Sequence, residues 1–246
     1  MRPVAAKTTP ITRARKRAAT PTRTLAVDIG GTGVKAVVLN EAGDPISKRV
    51  RARTPSPALP ESVLRIVTRL AGRLGEYDRV SIGFPGVIDR GVVKLAPNLS
   101  KDWIDVNAAA LFEARLGKRV RLANDADVQG FGVVAGKGVE LVITLGTGVG
   151  SALFLDGKLV PNVEVGRRRL GDAGRRKIGQ TRWHRRVVKF VRRLDEMFHF
   201  DRLYIGGGNA GHVDITKLPP NTRIVSNVNG LIGGVALWRD DAPVAR

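Results

Sequence analysis

Two glycine-rich turns, each set between short apolar segments, constrain this chain more than any other feature. The first is Asp28-Ile29-Gly30-Gly31-Thr32-Gly33, flanked by apolar residues 24–28 and 34–39. The second is Leu145-Gly146-Thr147-Gly148-Val149-Gly150, flanked by residues 140–145 and 151–155. Short apolar runs joined through glycine read as β-hairpins whose backbone must come close to something else. One such hairpin is common. Two in corresponding places predict an α/β protein of two lobes with a cleft between them.

The remaining pattern fits that frame. Residues 47–54 read as a third strand of the first sheet. Val63, Ile66, Val67, Leu70 and Leu74 recur at a helical period over residues 60–74. Residues 79–84 and 92–95 read as strands around a Pro85-Gly86 turn, 107–116 as a helix, 119–123 as a strand and 126–134 as a helix. In the second half, residues 182–198 form an amphipathic helix with Trp183, Val187, Val191, Leu194 and Phe198 on its apolar stripe. Strands at 202–205 and 222–226 and a helix at 231–238 complete the reading.

Three places carry candidate chemistry. In the first turn, backbone N–H groups of glycine, the Thr32 hydroxyl and the Lys35 charge suit a phosphate, and Asp28 suits a magnesium ion held through water. The spacing meets neither a Walker A loop nor a Rossmann fingerprint. The second turn repeats the phosphate chemistry. Between them, Asn124-Asp125-Ala126-Asp127 closes a strand and opens a helix. An aspartate there caps a helix or acts as a general base, and the spacing does not say which of the two does which. Neither His184 nor His199 has a neighbour that suggests a metal.

The chain has 246 residues, no cysteine and a formal net charge of +20. Without cysteine there is no disulfide framework and no thiolate zinc site. The absence fits a reducing cytoplasm, where we expect the protein. No apolar run approaches the roughly 20 residues of a membrane helix. Residues 1–23 are basic and lack acids, which reads as a solvated tail rather than an organelle transit peptide. The positive field favours anionic partners.

Taken together, the ordered segments resemble the ROK family of sugar kinases, and within it the polyphosphate glucokinases. DIGGTGVK from Asp28 resembles the first phosphate motif. SIGFPGVID from Ser81 and APNLSKDW from Ala96 resemble the sugar-side segment. NDAD from Asn124 resembles the catalytic motif, TLGTGVGSALF from Thr144 the second phosphate motif, and YIGGGNA from Tyr204 the glycine cluster on the donor side.

The resemblance implies an actin-like ATPase (ribonuclease H-like) fold: a first lobe at 24–123 completed by a C-terminal helix at 230–246, and a second lobe at 124–229. It implies a phosphotransferase acting on the 6-hydroxyl of glucose, with Asp125 as base and Asn98, Asn124, Asp125 and Glu164 touching the sugar. Asp28, Gly30, Gly31, Thr32, Lys35, Thr144, Gly146, Thr147 and Gly148 would hold the phosphates. Gly206, Gly207 and Gly208 would meet the nucleotide or donor chain. Magnesium, held indirectly by Asp28, is the expected cofactor, without zinc; a homodimer is expected by analogy, and neither a membrane nor nucleic acid as partner.

The likeness breaks after Glu164. The family continues Glu-x-Gly-His, whereas here Arg167 stands in the place of His, and the stretch before Leu170 is shortened. That departure keeps a second reading open, a protein that binds polyphosphate or nucleic acid without turnover. A sugar-sensing repressor is not expected, because the tail is too short for a helix-turn-helix. From Arg167 to Arg193 the chain is dense in arginine and lysine, which favours inorganic polyphosphate over ATP as donor.

Overall fold

The computed structural model describes residues 21–166, 168–226 and 229–239. Arg167 and most of both termini therefore lie outside the described residues. The expected tail is described only from residue 21, and there Thr22 N–H donates to Glu41 and Arg23 N–H to Asp78.

Alternating apolar segments pair into the two sheets that the glycine turns predict. In the first, β1 (Thr24–Ile29) and β2 (Gly33–Leu39) form the hairpin, with Asp28 opposite Lys35. β3 (Val50–Arg53) extends it antiparallel, shorter than the expected 47–54. β4 (Arg79–Phe84) lies parallel to β1; between it and the fifth strand, the chain forms a separate hairpin of β5 (Val87–Asp89) and β6 (Val92–Leu95). The chain turns at Pro85-Gly86 as expected, where Gly86 N–H donates to the Phe84 carbonyl at 2.9 Å, and an additional turn at Arg90-Gly91, both at positive φ, joins β5 to β6. β7 (Arg119–Asn124) closes the sheet in the order β3-β2-β1-β4-β7.

The second sheet repeats that order strand for strand. β8 (Val139–Leu145) and β9 (Val149–Leu155) form the hairpin and β10 (Lys158–Val160) extends it. β11 (Arg202–Gly206) and β12 (Thr222–Ile224) then add in parallel, giving β10-β9-β8-β11-β12. The internal duplication is thus one of topology, with antiparallel and parallel pairings in the same places.

Helices cover the sheets. α1 (Pro60–Ala71) starts on proline, whose missing N–H is no loss in a first turn, and buries Val63, Leu64, Val67 and Leu70. α2 (Ala108–Leu116) is capped by the Asn107 side chain and stops at Gly117 in the left-handed region. Fully buried Trp103 packs edge-on to Phe84 at 5.0 Å and donates its indole N–H to the Ala58 carbonyl. In the other half, α4 (Asp172–Ile178) leads directly into α5 (Gln180–Phe198), which buries Trp183, Val187, Phe190, Val191 and Leu194.

α3 (Asp125–Phe131) belongs to both halves. Ala126 packs with Val142, Ala152 and Phe154 of the second sheet, while Val128 packs with Ala123 of the first and with Leu237. The C-terminal segment returns to the first sheet, where Leu231 packs on Ala26, Val37 and Leu39. It is not the single helix expected over 230–246: α6 (Asn229–Ile232) gives way to a 3-10 turn at Gly233–Trp238. Gly234 lies against Ser81 and Ala26, and the Trp238 indole donates to the Ser81 hydroxyl. Among the described residues no helix is long and apolar enough to cross a membrane.

Candidate active site

Parallel pairing brings the ends of β1, β4 and β7 to one edge, with Asp28 beside Gly83, Gly83 beside Ala123 and Phe84 beside Asn124. In open α/β sheets that carboxyl edge is where ligands gather. Asn124, the last residue of β7, caps α3: its Oδ1 accepts from the N–H of Ala126 at 2.8 Å and of Asp127 at 3.4 Å. The capping question is settled by the asparagine, which leaves both aspartates for other work. Its Nδ2 donates to the Gly86 carbonyl at 3.0 Å and to Glu164 Oε1 at 3.3 Å.

Asp125 follows between the two sheets: a β-carbon on Gly83 of β4 would stand 3.4 Å from the Asp125 Cα, and one on Gly150 of β9 would stand 3.7 Å from Asp125 Oδ1. Its Oδ1 accepts from the N–H of Ala126 at 2.9 Å. The side chain keeps some open surface, yet protein atoms crowd it on most sides, and loss of water pushes its carboxyl up to about 7. The negative charges of Asp28 and Glu164 push the same way, while the Ala126 N–H and the Lys35 ammonium oppose them. Glu164 is open along much of its length, but its carboxyl end, set against Asn124, is desolvated and also raised. Asp127 is 2% exposed; burial pushes it up to about 8, with Asp125 and Glu164 adding to the shift.

Across the hairpin, Lys35 Nζ sits 2.6 Å from Asp28 Oδ2. The lysine is therefore ion-paired with Asp28. Gly30 N–H donates to the Gly33 carbonyl, closing the first turn, and Thr32 stands exposed at its tip. The second turn is built alike: Gly146 N–H donates to the Gly148 carbonyl and Thr147 is exposed. Thr144 is engaged inside its hairpin, accepting the Gly150 N–H at 3.2 Å.

Asn98 joins the two turns. A β-carbon on Gly31 would stand 3.1 Å from that of Asn98, and one on Gly148 would stand 3.6 Å from Asn98 Nδ2. The loop from Ala96 to Trp103, anchored by the buried Trp103, so carries Asn98 between the two lobes. Of Gly206, Gly207 and Gly208, Gly206 packs on Gln129 of α3 and Gly207 on Leu145 at the start of the second turn. Gly207 has φ +90°, and a β-carbon there would come within 2.5 Å of the Leu145 backbone, so packing alone demands glycine. Gly208, by contrast, faces open space.

Four further residues of the site escape the sequence reading. Gly146 O accepts from Asp172 N–H at 2.9 Å and from Asn209 Nδ2 at 3.1 Å, and Arg175 braces Asn209 at 3.0 Å. Asn162 accepts the N–H of Ile88 and donates to its carbonyl, and its own N–H reaches Asp127 at 3.4 Å. Pro161-Asn162 is a turn signal, with Asn162 at φ +58°, but nothing in it points to Ile88.

The family pattern of the ROK family matches residues 24–166. The polyphosphate glucokinase of Mycobacterium tuberculosis is 30% identical over 232 residues, 84% of this chain and 88% of that protein. The chain belongs to the ROK family. The glucokinase of Streptomyces coelicolor is 37% identical over 146 residues, 55% of this chain and 44% of that protein. Among solved structures, the inorganic polyphosphate/ATP-glucomannokinase of Arthrobacter sp. strain KM superposes with a TM-score of 0.78 at 32% identity, covering 89% of this chain and 100% of that one. A ROK family glucokinase of Streptomyces griseus, solved with glucose and AMPPNP, gives 0.75 at 19% identity over 88% of this chain and 99% of that one, a likeness of fold. The fold of this ROK family member is the two-lobed actin-like ATPase fold.

Proposed function

We propose that this ROK family member transfers a phosphoryl group from inorganic polyphosphate, or from ATP, to the 6-hydroxyl of glucose. The observation that carries the reading is Asp125: a carboxyl between the two sheets and their glycine hairpins of matching topology, with its pKa brought near neutrality. A general base works best when its pKa lies near the working pH. The 30% identity to a polyphosphate glucokinase over most of the chain supports the substrate pair.

In this reading the ionised Asp125 takes the proton of the sugar hydroxyl. The freed oxygen bonds to the terminal phosphorus while the bond to the next bridging oxygen breaks, and the donor leaves one phosphate shorter. Asn98, Asn124 and Glu164 orient the sugar; the contact of Glu164 with Asn124 supports a sugar site that survives the shortened segment beyond it. The N–H groups of Gly30 and Gly146 close their own turns, so the phosphates meet the rest of each turn, around Gly31 and Gly148, with the Thr32 and Thr147 hydroxyls. Positioning and charge neutralisation of this kind supply most of the acceleration in phosphoryl transfer.

A magnesium ion in this reading is held indirectly, since among the described residues no group of three acids or histidines is placed to bind a metal ion. Asp28 would hold the ion through water, and the ion would neutralise charge on the phosphate oxygens. Residues 24–123 and 124–229 are the two lobes in this proposal.

The test is phosphorylation of glucose with magnesium and either donor, by the wild type and by Asp125→Asn. Removal of such a base lowers kcat by about 10²- to 10⁴-fold. Turnover that survives in the variant at wild-type rate would remove Asp125 as the base, and a wild type without turnover on either donor would sink the kinase reading.

A further inference from the structure

α5 carries Arg182, Arg185, Arg186, Lys189, Arg192 and Arg193, all exposed. At about 100° per residue these six fall within an arc of about 120°, opposite the buried stripe of Trp183, Val187, Phe190, Val191 and Leu194. They make a straight seam about 17 Å long at 1.5 Å per residue. No acid interrupts residues 180–194, and Glu196 bounds the seam at its far end.

The seam differs from the other basic surfaces. Some exposed cations elsewhere meet acids, as Arg115 meets Glu61 and Lys94 meets Asp105. Others, such as Arg65, Arg69 and Arg73, take part in no ion pair among the described residues; the seam stands out by holding six cations on one helix face. None of the six seam residues takes part in an ion pair among the described residues. Instead Arg182–Arg186, Arg185–Lys189 and Lys189–Arg193 are like charges at the spacing where they repel. A folded helix that keeps this repulsion unrelieved is complementary to an external polyanion.

The N-terminal end of α5, where the seam begins, lies near the second glycine turn. The Trp183 indole donates to the Leu170 carbonyl at 2.8 Å, and the next residue, Gly171, packs directly on the carbonyl of Thr147 in the second glycine turn. We propose that α5 is a docking track for the distal part of a linear inorganic polyphosphate whose end is being consumed in the cleft; this rests on the donor reading above. Single-stranded nucleic acid fits less well. Its binding sites add aromatic platforms for the bases, whereas in α5 Trp183 and Phe190 are buried and Phe198, half-buried, packs on the same core.

The experiment compares full-length wild type with Arg182→Gln/Arg186→Gln/Lys189→Gln, glutamine keeping helix propensity. A control of equal charge, Arg65→Gln/Arg69→Gln/Arg73→Gln, changes exposed positions on and just beyond α1. Binding of long-chain polyphosphate is measured against salt, and KM is measured for long-chain polyphosphate, tripolyphosphate and ATP. The seam variant should bind long chains about tenfold more weakly and lose about 2 from the slope of log K against log salt. Its kcat and its KM for ATP should stay at wild-type values. Equal losses in the control, or equal losses with ATP and tripolyphosphate, would overturn the track. So would a wild type that holds single-stranded homopolymer DNA through the seam as tightly as polyphosphate. Because binding needs no turnover, loss of long-chain binding in the seam variant alone would support the track even if the wild type phosphorylated nothing; that second result would count against the kinase reading only.

Discussion

Replacing Asp127 by asparagine should make this protein more stable at high pH and no more stable at low pH. Asp127 is 2% exposed, one carboxylate oxygen has no partner among the described residues, and the other accepts a 3.4 Å bond from Asn162 N–H. Its carboxyl titrates at about 8 in the fold, against 3.8 for a fully solvated aspartate. Between those values the native state binds a proton that the unfolded chain has released, so unfolding becomes easier as pH rises. Each pH unit in that window lowers stability by about 1.4 kcal/mol. The sum reaches on the order of 5 kcal/mol by pH 8 as an upper bound, since Asp125 and Glu164 share the same field. Asparagine removes that dependence but leaves an amide group short of partners, a penalty of about 1–3 kcal/mol that does not vary with pH. Urea unfolding at pH 5, 6, 7 and 8 should therefore show the variant level with or below the wild type at pH 5 and above it by a few kcal/mol at pH 8. A difference that stays constant across the series would mean that Asp127 ionises like an exposed carboxylate, and the argument from burial would fail.

The same electrostatics predict an acid limb for kcat/KM near pH 7, since Asp125 must be ionised to accept a proton and its carboxyl is pushed up to about 7. Asp28→Asn should move that limb to lower pH by removing a neighbouring negative charge; a limb near pH 4 in the wild type would refute the assignment. Trp103→Ala should lower stability by about 3–5 kcal/mol, since the indole is fully buried. It should also raise KM for glucose, because Trp103 anchors the loop that carries Asn98, and an unchanged KM would break that link.

Much of the fold is legible in the sequence because its strands are apolar and its turns are glycine. The two hairpins, the parallel strands β4, β7 and β11, and the stripe on α5 all follow from periodicity. What escapes detection is short or unpatterned. β5 and β10 have three residues each, too few to alternate, although Asp156-Gly157 before β10 is a hairpin signal. α4 buries no residue, so no apolar period marks it. Gly233 and Gly234 leave the C-terminal segment without helix propensity, and close packing on Val128 and Ser81 sets its path instead. In the site, Asp125 and the two turns are legible, whereas the braces are not. Asn162, Asp172 and Asn209 act through backbone carbonyls and amides of distant segments, and Arg175 through the side chain of Asn209; no local pattern records these long-range pairings.

The position of Asp125 sets two effects against each other. At the first residue of α3 it sits where the helix dipole favours a negative charge, by about 0.3–1 kcal/mol for an ordinary helix, and α3 is only seven residues long. A rise from 3.8 to about 7 corresponds to about 4 kcal/mol in the other direction. Desolvation and the charges of Asp28 and Glu164 therefore win by a wide margin. Lys35 reverses little of this: it is ion-paired with Asp28 at 2.6 Å, and its effect on Asp125 is the smallest of those that act there. Had Asp125 served as the cap, its carboxylate would be tied to two backbone N–H groups and pulled toward ordinary acidity. Asn124 takes the N–H of Asp127 and shares that of Ala126, and so keeps the neighbouring carboxyl basic enough to accept a proton near neutral pH.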